Sequence, residues 1–139
     1  MIILDTDVLS AAIRQTPDRQ IVDWFDRQPV ASLCITTITL FEIRSGIEQT
    51  GDRSKRLSLD AAFELALGEL LEGRVLPFDE PAARVAADLH GARRRGGITI
   101  GAADTQIAGI AVSRGHALAT RNVRHFPNLS VPVIDPWQA

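Results

Sequence analysis

The chain has 139 residues, 45% hydrophobic and 23% charged, with a formal net charge of −2 and a pI of about 5.9. That length suits one domain with a real core and is too short for two, and the composition is globular rather than disordered. The acidic balance excludes a global basic field, so nucleic acid could bind only through a local patch, and Lys55 is the only lysine among otherwise arginine cations.

The opening MIILD predicts a short buried strand over Ile2–Asp5. No basic segment precedes it, and neither this run nor any later one is long enough for a signal peptide or a membrane span. A cytoplasmic chain without a membrane partner is therefore expected. Pro17 to Gln28 has a helical pattern, with Ile21, Val22, Trp24 and Phe25 on one side. Ser32–Thr36 is a second strand. It carries the lone cysteine, Cys34, which excludes an intrachain disulfide and reads as a buried, inert thiol. Thr37 opens a helix to about Gln49, Gly51-Asp52 breaks it, and a longer helix runs from about Lys55 to Leu71 before Gly73. Arg74–Phe78 is a third strand. Glu80–Arg95 is a helix with Pro81 in its first turn and Gly96-Gly97 after its end. Ala102–Ser113 is an alanine-rich helix closed by Gly115, followed by strands over His116–Thr120 and Val131–Asp135.

Strands alternating with helices predict an α/β fold: a parallel central sheet of about five short strands with helices on both faces. Short, continuously apolar strands suit a sheet buried on both sides. Sites in such sheets form at the carboxyl ends of the strands. Asp5 stands at one such end and Thr120-Arg121-Asn122 at another.

Asp5, Glu42, Asp104 and Asn122 are the candidate site. Each acid also has a plain structural role open to it. Asp7 could cap a helix beginning at Val8, Thr39 and Glu42 form a T-x-x-E pair that suits a capping box, and Asp104 is a first-turn acid favoured by the helix dipole. Asp5 is harder to place that way, because a carboxylate ending a buried strand must be solvated, paired or metal-bound. Asp104 is the only acid from Ile98 to Val112. Carboxylates gathered at one sheet edge repel unless a hard cation lies between them. Mg²⁺ or Mn²⁺ takes oxygen ligands, polarises phosphoryl oxygens and activates water, which points to phosphodiester hydrolysis.

The ordered segments IILDTDVLSA, TTITLFEIRSGI, RVLPFDEPAA, GAADTQIAGIAVSRG, ALATRNVRHF and DPW span essentially the whole chain. In them the sequence resembles PIN-domain proteins, specifically the VapC/FitB-type toxins of toxin–antitoxin modules. The resemblance implies a single PIN domain over residues 1–139 and an endoribonuclease dependent on Mg²⁺ or Mn²⁺, with tRNA or rRNA as substrate. It implies a VapB/FitA-like antitoxin as partner, a homodimer, and a larger assembly held on operator DNA through the antitoxin. Its catalytic set falls on Asp5, Glu42, Asp104 and Asn122, with Asp5 and Asp104 as metal ligands and Thr6, Asp7 and Thr120 beside them. Position 7 is often asparagine in relatives and position 122 often aspartate. With Asn122 supplying no charge, one firmly held ion is expected.

Arg121 and Arg124 flank Asn122 and could grip a phosphate in bidentate fashion. Arg44 is a further candidate RNA contact. So is Arg93, in the Arg93-Arg94-Arg95 cluster, although basic residues at a helix end also complement its dipole. The three histidines, His90, His116 and His125, have no ligand spacing, and one cysteine builds no zinc site. His125 lies in the NVRHF loop and reads as a surface residue, with approach to the site as the alternative. An aspartate-nucleophile phosphatase is disfavoured: Leu9 occupies the last place of the D-x-D-x-[TV] pattern and only one lysine is available. The remaining alternative is a degenerate PIN module that binds RNA or an antitoxin without cleaving. Apolar faces at Trp24-Phe25 and Phe63-Leu67 suit either core packing or a dimer contact.

Overall fold

The computed structural model describes the whole chain, Met1–Ala139. Five parallel strands form one sheet: β1 (Ile2–Leu4), β2 (Leu33–Thr36), β3 (Val75–Leu76), β4 (Ala117–Ala119) and β5 (Val133–Ile134), in the spatial order β3-β2-β1-β4-β5. Six helices connect them: α1 (Thr6–Ile13), α2 (Arg19–Asp26), α3 (Thr37–Glu48), α4 (Arg53–Leu65), α5 (Glu80–Arg95) and α6 (Ala102–Arg114). A π turn over Ala66–Leu70 continues α4.

Every strand is shorter than its apolar run. Arg74–Phe78 contributes only Val75–Leu76 to the ladder, where Pro77 has no N–H to donate. Val131–Asp135 is likewise trimmed to Val133–Ile134. Pairing still continues past the strand ends, since Thr120 N donates to Ile134 O at 2.8 Å and Asp5 N to Ala119 O at 2.9 Å.

The alternation of side chains along each strand feeds two separate cores. Leu4, Leu33, Ile35 and Ala119 enter one with Val8, Leu9, Trp24, Ile43, Ile47 and Phe63, under α1 to α4. Ile3, Cys34 and Leu118 enter the other with Ala82, Ala108, Ile107, Ile110 and Phe126, under α5 and α6. Trp24 and Phe63 are therefore core, while Leu65 between Phe63 and Leu67 is exposed, as are Phe41 and Leu57 among others. Cys34 is buried as expected, and burial lifts its thiol to about 11, which keeps it unreactive.

Two caps differ from the sequence reading. The first helix begins at Thr6 and its N-cap is Asp5, whose Oδ1 accepts from Thr6 N at 2.8 Å, so Asp7 lies inside the first turn. The cap of α3 is Thr36, whose Oγ1 accepts from Thr39 N at 3.2 Å. Glu42 thus stands in the second turn, free of any capping box, on a helix anchored by Thr39, Ile43 and Ile47 at four-residue spacing.

Candidate active site

The carboxyl ends of β1 and β4 lie side by side, so the β1–α1 corner (Asp5, Thr6, Asp7) meets the segment after β4 (Thr120, Arg121, Asn122). Asp5 is 5% exposed. Its Oδ2 accepts from Thr120 Oγ1 at 2.7 Å, and Thr120 Oγ1 in turn accepts from Asn122 N at 3.0 Å. Thr6 reaches across to α3: its hydroxyl donates to Glu42 Oε1 at 2.6 Å and lies 3.1 Å from Thr39 Oγ1. Asn122 Nδ2 donates to Asp7 Oδ2 at 3.1 Å. One threonine thus fixes each of two acids, and the amide of Asn122 fixes a third.

The charge of Asp104 also bears on this edge. Burial lifts the Asp5 carboxyl from the ordinary 3.8 to about 6, with the Thr120 hydrogen bond opposing and the charges of Asp7 and Asp104 adding to the rise. Asp7 is raised too, chiefly by burial, while the amides of Arg121 and Val8 and the Arg121 guanidinium hold it down in part. Asp7 Oδ1 is buried and makes no hydrogen bond. Asp104 stands in the first turn of α6, whose N-cap, Gly101, offers no side-chain cap. His125 Nδ1 lies 3.1 Å from Asp104 Oδ2. The histidine stays on a surface loop, its side chain 45% exposed, and the turn Val123–His125 also brings it to α6, so both sequence expectations hold in part.

The arginines part company. Arg93 is 6% exposed: Nη1 donates to Thr105 Oγ1 at 3.2 Å, and Nη2 is buried without a partner. A guanidinium enclosed between α5 and α6 presents nothing to a surface ligand, which corrects its reading as an RNA contact. Arg44 is engaged by Asp60 of α4 and by Glu48, so most of its charge is already met. Arg121 and Arg124 are exposed and take part in no ion pair. Arg121 lies over Trp137, its guanidinium carbon 4.3 Å from the ring centroid. Sequence reading quoted DPW but gave Trp137 no role.

An open cavity of about 510 Å³ begins at Thr6, Asp7 and Glu42, passes over Ile43 and Ile47, and is bounded by Arg121 and Trp137. The donors at its acidic end are all oxygen, with one carboxylate oxygen of Asp7 buried and unpartnered, and the Asp5 carboxyl beside it is lifted chiefly by burial and further by its like-charged neighbours. Both features are relieved by a hard cation. No three His, Cys, Asp or Glu side chains close into a tight cage.

A five-stranded parallel sheet in this order, with acids at its carboxyl edge, defines a class, and the PIN domain model matches residues 2–131. Relatives narrow the class. The VapC ribonuclease Y4jK of Sinorhizobium fredii is 37% identical over 99% of each chain, and the tRNA(fMet)-specific endonuclease VapC of Salmonella typhimurium is 30% identical over 96% of each. The crystal structure of FitAcB from Neisseria gonorrhoeae superposes with a TM-score of 0.90 at 34% identity, covering the whole of both chains. The chain belongs to the PIN-domain family, among its VapC/FitB-like toxins.

Proposed function

We propose that this chain is the toxin of a VapBC-type toxin–antitoxin module, a cytoplasmic endoribonuclease dependent on Mg²⁺ or Mn²⁺, acting as a single PIN domain over residues 1–139. The observation that carries it is the buried Asp5 carboxyl, lifted to about 6 beside Asp7 and Asp104 at the carboxyl edge of the sheet. Asp5 and Asp104 would hold the ion. When bound, Mg²⁺ or Mn²⁺ supplies Lewis acidity toward a phosphoryl oxygen and lowers the pKa of water. Asp104 or Asp5 would orient the attacking water, and Glu42, itself oriented by the Thr6 hydroxyl, would complete the acidic set. Thr120 holds Asp5 in place, and Asn122 restrains Asp7 without adding charge, which favours a single ion. Arg121 and Arg124 meet the RNA backbone, and tRNA or rRNA supplies the strand.

The apolar floor of the cavity, ending among acids, suits an antitoxin segment that lays aliphatic side chains on Ile43 and Ile47 and an Arg or Lys beside Asp7 and Glu42. The same antitoxin would carry a toxin homodimer onto operator DNA. No helix is long and apolar enough to cross a membrane, in keeping with this setting. An antitoxin stripped of that basic residue should inhibit far less.

The deciding experiment incubates the chain with bulk tRNA and rRNA in Mg²⁺, in Mn²⁺ and in chelator, beside Asp104→Asn. Discrete metal-dependent cuts are expected. Asp104→Asn should lose activity by a factor on the order of 10³, about 4 kcal/mol of transition-state stabilisation. Intact RNA under every condition, from a chain with a cooperative thermal transition, would replace this reading with that of a non-cleaving binding module.

A further inference from the structure

Arg121 differs from the other arginines near the acidic edge. Arg93 is enclosed and Arg44 is paired with acids. Arg121 closes no ion pair, although its charge bears on Asp7, and it is held by the Trp137 ring at 4.3 Å. The ring is itself fixed. Its Nε1 donates to Asp18 Oδ2 at 3.0 Å, and Asp18 is the N-cap of α2, its Oδ1 accepting from Gln20 N at 3.0 Å. The Trp137 backbone N donates to Asp135 Oδ1 at 2.9 Å, directly after β5. The last turn of the chain therefore returns to α2 and supports a cation beside Asn122.

Stacking is an economical way to fix this cation. An acidic partner would cancel the charge, whereas an aromatic face orients the guanidinium and leaves its N–H edge free for a bidentate contact. Arg121 and Trp137 also bound the cavity that contains Thr6, Asp7 and Glu42. An anionic strand approaching those acids is repelled by them and needs a preset cation at the rim. We propose that Trp137, oriented by Asp18, is a positioning residue for RNA binding: it holds Arg121 where the guanidinium grips a backbone phosphate next to the acidic site. This rests on the ribonuclease reading.

The test is a double-mutant cycle on binding of a fluorescent 20-nucleotide single-stranded RNA, in an Asp104→Asn background that keeps the strand intact. Affinity is followed across salt concentrations. Arg121→Gln is expected to weaken binding about 5- to 10-fold and to flatten the salt dependence by roughly one phosphate contact, a change in slope of about 0.7. Trp137→Leu should reproduce most of both changes, and the double variant should be no weaker than Arg121→Gln alone. Trp137→Phe, which keeps a ring, should recover much of the loss. A role confined to folding would move the melting transition and leave the salt slope unchanged. If Trp137→Leu does not fold, Trp137→Phe and Asp18→Asn carry the cycle, with a smaller loss expected from each.

Additive effects in the cycle, an unchanged slope, or a phenylalanine no better than leucine would overturn the positioning role and leave the ribonuclease reading standing. A parent protein that binds no RNA at any salt concentration would overturn both.

Discussion

The two faces of the sheet differ in how the helices that cover them meet. Under α1 to α4 the core is built from large groups, with Trp24, Phe63, Leu4, Leu9, Ile43 and Ile47 fully or almost fully buried. The other core also holds large groups, Ile3, Ile107, Ile110, Leu118 and Phe126, but α5 and α6 meet through small residues, with Gly109 against Ala82 and Ala86. Small residues let α5 and α6 approach closely. A Cβ added at Gly109 would stand 2.6 Å from Ala82 O and 2.7 Å from Ala86 Cβ. Large residues on the other face leave gaps between the helices, and the cavities bounded by Thr6 and Trp137, by Arg14 and Lys55, and by Val22 and Leu65 all open there. The lesson is a division of labour. Asp104 stands on the closely packed helix pair, and the other face provides grooves in which a strand or a peptide can lie.

The comparison can be tested by disturbing each region in turn. The largest effect is expected from Phe63→Ala, which removes a fully buried ring and should cost about 3–5 kcal/mol in urea unfolding. If the grooved face is the one that adapts, affinity for Mn²⁺ should change little in the folded variant.

Next comes the acidic edge between the faces. Burial favours the protonated form of Asp5, so that contribution to stability is full below pH 3.8 and is lost as pH rises through about 6. In chelator at pH 8, Asp5→Asn should be more stable than the parent by as much as about 3 kcal/mol. The difference should vanish below pH 4 and shrink when Mg²⁺ or Mn²⁺ is added to the parent, which gains stability on binding. Equal stability of the two proteins at pH 8 in chelator would show that burial of Asp5 costs the fold nothing.

The smallest expected change is the sharpest probe. Gly109→Ala should destabilise by about 1–3 kcal/mol through overpacking. Because α6 carries Asp104, it should also weaken Mn²⁺ binding, measured by calorimetry on the folded protein. Mn²⁺ affinity left intact by Gly109→Ala and lost in Phe63→Ala would invert the assignment of rigid and adaptable faces.

The alternation of short apolar runs and helices carried the parallel sheet, both helical layers and the carboxyl edge where Asp5 and Asn122 stand. These features depend on local pattern and on the general handedness of βαβ units, both of which a sequence displays. Features set by three-dimensional crossing were not displayed. Arg93 reads like its neighbours Arg94 and Arg95, and only the approach of α5 to α6 encloses it against Thr105. The cap at Asp5 was assigned to Asp7 because either aspartate can accept from an amide in the next turn, and the local signal does not separate them. His125 and Trp137 sit in segments without periodicity. Their contacts with Asp104 and Arg121 arise from where the loop after β4 and the last turn after β5 come to rest.

Asp5 and Thr120 share a hydrogen bond although they stand 115 positions apart, and β1, the central strand, waits on one side for β4. While the chain is being made, its first strand emerges early with one lateral partner still missing. At elongation rates of about 5–20 residues per second, roughly 6–23 s separate synthesis of the two residues. Throughout that interval the acidic edge has no second wall, and a ribosome carrying the unfinished chain carries no assembled site. The order of strands thus acts as a clock that delays the site until translation of the domain is almost complete.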